Sequence, residues 1–133
     1  MSLVDFLSGL VFKLLGLNAE RKKEVAAYME GIAETLGEFA PRLREGAPFE
    51  ELSRYVAKTE GLAKHFADAT RDVLPEAERS ELNRKLEEAF NAKTLLSTNT
   101  EVERQELLVF ISKTAGTFEA AADTLRASAN KFG

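Results

Sequence analysis

The chain has 133 residues, 30% of them charged and 44% hydrophobic, with 18 basic and 22 acidic side chains, one histidine and no cysteine. That length fits one domain, enough to bury roughly two-thirds of the surface that the unfolded chain exposes. The missing thiols exclude a disulfide framework and thiolate metal sites and fit a cytoplasmic setting, while a net charge of −4 argues against nucleic acid, whose phosphates select a basic face.

Residues 3–17 are apolar at ten of fifteen positions. Ser2, with Asp5 three positions later, has the spacing of an N-cap and predicts a helix over residues 3–16. At 100° per residue, Asp5, Ser8, Gly9, Lys13 and Gly16 form a polar stripe about 140° wide, and Phe12 falls within it. The remaining side chains, among them Leu3, Phe6, Leu7, Leu10, Val11, Leu14 and Leu15, need cover from a core, a partner or lipid. The segment has no basic leader, and as a helix it rises only about 23 Å against a hydrocarbon core of about 30 Å. It therefore reads neither as a signal peptide nor as a conventional spanning helix, although it suits a membrane interface.

Gly16 and Asn18 break the run, and Asn18 caps a second helix predicted over residues 19–44. Its seam, Val25, Met29, Ile32, Leu36, Phe39 and Leu43, alternates steps of four and three, the rhythm of helices packed nearly parallel or antiparallel. Pro41 interrupts that seam and predicts a kink or an early end. After a turn through Gly46, a third helix over residues 48–74 opens on Pro48 and stops before Pro75. Its seam is Leu52, Val56, Thr59, Ala63, Phe66, Thr70 and Val73, which the threonines make more polar.

A fourth helix is predicted over residues 76–97, with Leu82, Leu86, Ala89, Phe90, Leu95 and Leu96 on its apolar face. Thr100 with Glu103 makes a capping box for a fifth helix over residues 101–132. Its seam runs through Leu108, Ile111, Ala115, Phe118, Ala122, Leu125, Ala129 and Phe132. Four long helices with short turns predict an all-α fold: an up-down antiparallel four-helix bundle with an additional short hydrophobic N-terminal helix.

Catalytic chemistry finds little footing in these elements. A di-metal bundle needs two Glu-x-x-His pairs, whereas His65 is the lone histidine and Leu62 stands three residues before it. No phosphate-cradling glycine loop or nucleophile elbow is present. Glu50 and Glu51 suit a helix first turn, Glu87 and Glu88 a solvated face, and Arg84 with Glu88 and Glu81 with Lys85 read as surface pairs. The expectation is a chain that is not an enzyme and has no cofactor and no metal. Gly16, between the first two helices, is the candidate hinge.

A short hydrophobic helix at the terminus followed by a four-helix bundle resembles the N-terminal executioner domains of cell-death proteins: fungal HeLo domains, mixed-lineage-kinase-like pseudokinases and coiled-coil plant immune receptors. The resemblance is one of layout and covers most of the chain; residues 1–17, with Phe6, Leu7, Leu10, Leu14 and Leu15, look like the family's membrane-active segment. It implies a cytoplasmic, non-enzymatic effector, peripheral to membrane, that acts through its first helix by membrane association or self-association. Two alternatives stay open at this point: a soluble adaptor that keeps the first helix buried and binds a protein partner, and a carrier for an apolar ligand.

Overall fold

A computed structural model of the chain describes residues 3–90 and 100–132, with side chains described over 5–87 and 100–130. The described residues form five helices and no strand: α1 (Leu3–Leu14), α2 (Ala19–Arg44), α3 (Phe49–Ala69), α4 (Glu76–Phe90) and α5 (Glu101–Phe132). Residues 91–99, including the seam positions Leu95 and Leu96, lie outside the description, as do Ser2 and the side chains of Leu3 and Phe132.

Local chemistry sets the helix ends. The Asn18 side chain accepts a hydrogen bond from the Arg21 amide at 2.9 Å and so satisfies a donor that the first turn of α2 cannot use internally. At the other end of α2, the Gly46 amide donates to the Leu43 carbonyl at 3.1 Å and the Ala47 amide to the Arg42 carbonyl at 3.0 Å. This is a Schellman closure, and it needs the left-handed backbone that Gly46 adopts with φ of +77°. Pro41 neither shortens nor ends α2, which runs three residues beyond it. Pro41 and Gly37 are both exposed, so the carbonyl that loses its partner lies on the side facing water.

Three expected boundaries move: α1 ends at Leu14 and not at residue 16, and both ends of α3 shift. Pro48 has extended backbone, ψ 151°, and caps α3 from outside, its carbonyl accepting from the Glu51 and Leu52 amides at 3.0 and 3.1 Å. α3 then ends at Ala69 and not at residue 74, because Thr70 leaves helical geometry with φ −111° and ψ 12°. Its carbonyl receives the Val73 and Leu74 amides, which tightens the chain into a turn before Pro75.

The alternating seams supply the core. Val25, Met29, Ile32, Leu36, Phe39 and Leu43 of α2 are all buried, as are Leu52, Ala63 and Phe66 of α3, Leu82 and Leu86 of α4, and Leu108, Ile111, Phe118, Ala122 and Leu125 of α5. The buried threonines bond one turn back along the chain: Thr35, Thr59, Thr70 and Thr114 donate to the carbonyls of Gly31, Tyr55, Phe66 and Phe110 at 2.7–2.9 Å. Bonded this way, a hydroxyl adds no unmet polar group to the core.

α2 is the central helix, packed against α5 on one side and α3 on the other. Arg42 near the end of α2 meets Glu51 near the start of α3, and Arg21 near the start of α2 reaches the Ala69 carbonyl at the end of α3, so these two helices run in opposite directions. α4 packs on α3, and α1 packs on both α5 and α4. The neighbour relations therefore close a ring, α2 to α3 to α4 to α1 to α5 and back to α2, in which α1 stands between α4 and α5.

Candidate functional site

The apolar first helix is the feature that a bundle of four long helices does not itself require. Its placement follows from its angular pattern. Leu7, Leu10 and Leu14 share one face, and all three are buried, Leu7 and Leu14 completely. Leu17, just beyond the helix, is buried as well, and its amide donates to the Leu14 carbonyl at 3.1 Å. Phe6, Val11 and Leu15 flank this stripe and are half-buried against the core.

The proposed contact residues Leu7, Leu10 and Leu14 therefore face inward in this structure. What α1 offers to solvent is Asp5, Ser8, Gly9, Phe12 and Lys13. Phe12 is 79% exposed, the largest exposure of any large apolar side chain among the described residues. An ordinary surface helix turns a polar face outward; α1 is apolar inside and carries a phenylalanine outside.

The two flanks of α1 differ. On the α4 side Lys13 forms an ion pair with Glu78. On the α5 side lies an open groove of about 880 Å³, bounded by Leu7 and Val11 of α1 and by Phe110, Thr114, Gly116 and Ala120 of α5. Ser112, Gly116, Ala120 and Ala121 are the small residues of α5 along this seam. Gly16 lies at the exposed junction with α2. Its φ is not positive, and a methyl group there would meet only the Lys13 carbonyl at 3.6 Å, an ordinary contact. A glycine is not required at this position by the conformation seen here.

The charged groups that could suggest chemistry are bound up in structure. In the run Arg21-Lys22-Lys23, Arg21 grips the Asp72 carboxylate with two hydrogen bonds of 2.6 and 2.7 Å and the Ala69 carbonyl with a third of 2.8 Å. Lys22 is buried, its ammonium donating to the Ser128 hydroxyl at 2.7 Å. Sequence reading missed this buried lysine; the signal was its position three residues before Val25, on the core face of α2. Glu51 receives a fork from Arg42 at 2.6 and 2.8 Å, which holds its carboxyl below the usual glutamate range. Arg84 pairs with Glu81, while the expected partner Glu88 lies outside the described side chains; Lys85 approaches Glu81 at 3.5 Å.

His65 is exposed and stacks on Tyr28 with ring centroids 5.9 Å apart and planes 14° from parallel. Among the described residues no group of three or more His, Asp or Glu side chains comes together in a way that could hold a metal ion. No described helix is long and apolar enough to cross a membrane. No protein-family model matches the chain, and no curated protein or solved structure does either.

Proposed function

We propose that the chain is a non-enzymatic effector module, an up-down antiparallel bundle of four long helices completed by α1, that acts by placing α1 at a membrane interface. The observation that carries this reading is one exposed phenylalanine on the otherwise polar outer face of a helix whose inner face is leucine. Leu7, Leu10 and Leu14 face the core while Phe12 stands 79% exposed on the outer face. A helix of 12 residues with that pattern can lie in a bilayer interface, although it is too short to span. The layout it shares with cell-death executioner domains points the same way, and self-association of released first helices is the natural sequel.

Release has a definite energetic requirement. Burial of Leu7, Leu10, Leu14 and Leu17 contributes at most about 6–12 kcal/mol, comparable with a whole-domain stability of about 7–20 kcal/mol. A bilayer that buries the same leucines returns most of that transfer energy, whereas water returns none. Leakage of dye from anionic vesicles tests the reading. The wild-type chain should release dye, and Phe12→Glu, a surface change that leaves the core intact, should reduce release several-fold; Leu10→Glu and Leu14→Glu should abolish it. No release by the wild type at any concentration, or equal release by all four chains, would refute the membrane role.

The complete burial of Leu7 and Leu14 favours a second reading, in which α1 is a permanent stave and the module is an adaptor that binds a protein partner. Deletion of residues 1–17 separates the two. A permanent stave predicts loss of the cooperative fold, and a releasable helix predicts a residual helical bundle without membrane activity.

A further inference from the structure

The groove between α1 and α5 has a chemistry of its own, and it exists in the folded ring whether or not α1 is ever released. Its volume of about 880 Å³ lies in the range of about 300–1,000 Å³ usual for small-ligand sites. The wall contains three threonines that ought to make it polar. Yet Thr114, Thr117 and Thr124 each donate their hydroxyl hydrogen to a carbonyl one turn back in α5, those of Phe110, Lys113 and Ala120, at 2.8, 2.8 and 2.9 Å. With those hydrogens committed, the hydroxyls of Ser8 and Ser112 are the other polar groups on the wall besides Lys113, and the stretch between Val11, Phe110 and Ala120 suits a hydrocarbon chain.

One charged residue lines the groove, and it is a cation. Lys113 is exposed at the lip and has no ion pair among the described residues, and no acidic side chain lines the groove. This local balance runs against a chain whose net charge is −4. We infer that the α1–α5 groove is a binding site for a single-chain fatty carboxylate, with the hydrocarbon between Val11 of α1 and Phe110 and Ala120 of α5, above the buried Leu7, and the carboxylate at the Lys113 ammonium. A neutral alcohol of the same length loses the charged contact, and a cationic amphiphile meets repulsion.

The test is titration of the ¹⁵N-labelled full chain with decanoate, decanol and decyltrimethylammonium, each below its critical micelle concentration, read by amide shifts and by the melting midpoint. Decanoate should bind saturably, shift amides in α1 and α5, and raise the midpoint, because it binds only the folded chain. Decanol should bind about tenfold more weakly, the equivalent of one charge-assisted contact. Lys113→Gln should abolish the preference for decanoate over decanol, and Ala120→Trp should block both by filling the groove. Lys113 is exposed, so Lys113→Gln keeps the test decisive even if the tryptophan variant folds poorly. Absence of saturable decanoate binding, equal affinity for the acid and the alcohol, an unchanged preference in Lys113→Gln, or association seen only with lipid vesicles would each overturn the assignment.

Discussion

Lys13 of α1 is paired with Glu78 of α4 on one flank of α1, while the opposite flank borders the open groove. Their side chains are 47% and 27% exposed, and pairs that wet contribute about 0–1 kcal/mol. The leucine stripe, and not this ion pair, holds α1 in the ring. Lys13→Ala should therefore lower stability by less than about 1 kcal/mol, whereas Leu14→Ala, which removes a completely buried side chain, should cost about 2–5 kcal/mol. Urea denaturation of the two variants compares them directly, and equal midpoints would contradict this ranking.

The two turn glycines should respond in opposite directions. Gly46 holds a φ of +77°, so Gly46→Ala should destabilise by about 1–2 kcal/mol. Gly16 has no positive φ and has room for a methyl group, so Gly16→Ala should be neutral or stabilise by up to about 1 kcal/mol. Loss of vesicle leakage in Gly16→Ala without loss of stability would mark Gly16 as a true hinge.

Acid should weaken the fold through its arginine-bound carboxylates. Hydrogen bonds from Arg42, Arg21 and Arg84 hold Glu51, Asp72 and Glu81 below their ordinary values. A carboxyl depressed in the folded state stabilises fully above its unfolded pKa, and that contribution disappears as pH falls through the folded value. Stability should hold near neutrality and decline from about pH 4 downward. Arg42→Ala should make that decline shallower, as followed by thermal melts across the acid range; an unchanged acid limb would show that the Arg42–Glu51 fork does not act in this way.

Buried Lys22 tests the α2–α5 contact. Its ammonium donates to Ser128 at 2.7 Å from a side chain otherwise removed from water. Ser128→Ala withdraws that acceptor while Lys22 keeps a further interaction, and should cost about 0.5–1.5 kcal/mol, the net contribution of one hydrogen bond. A loss within 0–0.5 kcal/mol on denaturant titration would show that water or another group replaces the hydroxyl.

The helical class was legible because alternating three- and four-residue steps, as in Val25, Met29, Ile32 and Leu36, leave a strand no consistent face. Asn18 and Thr100 announced helix starts, and both side chains accept the predicted amide, Thr100 from Glu103 at 3.1 Å. Local pattern could not reveal that Thr70 would leave the helix four residues ahead of Leu74, since its own side chain and the turn before Pro75 decide that jointly. The oiliness of α1 was plain in the sequence, but its seat between α4 and α5 was not, because a hydrophobic face states a need for cover without naming its neighbours. The groove was equally hidden: it arises where Gly116 and Ala120 of α5 pass α1, a juxtaposition of residues more than a hundred positions apart.

Native-state hydrogen exchange at the amides of α1 tests the central claim most directly, because it measures the free energy needed to open that helix alone. A releasable α1 predicts that the amides of Leu10, Val11 and Leu14 exchange through an opening clearly smaller than the one that exposes Ile32 and Leu36 in α2, with little dependence on denaturant. Exchange of both sets at one common free energy, with one common denaturant slope, would mean that α1 leaves the ring only when the whole chain unfolds.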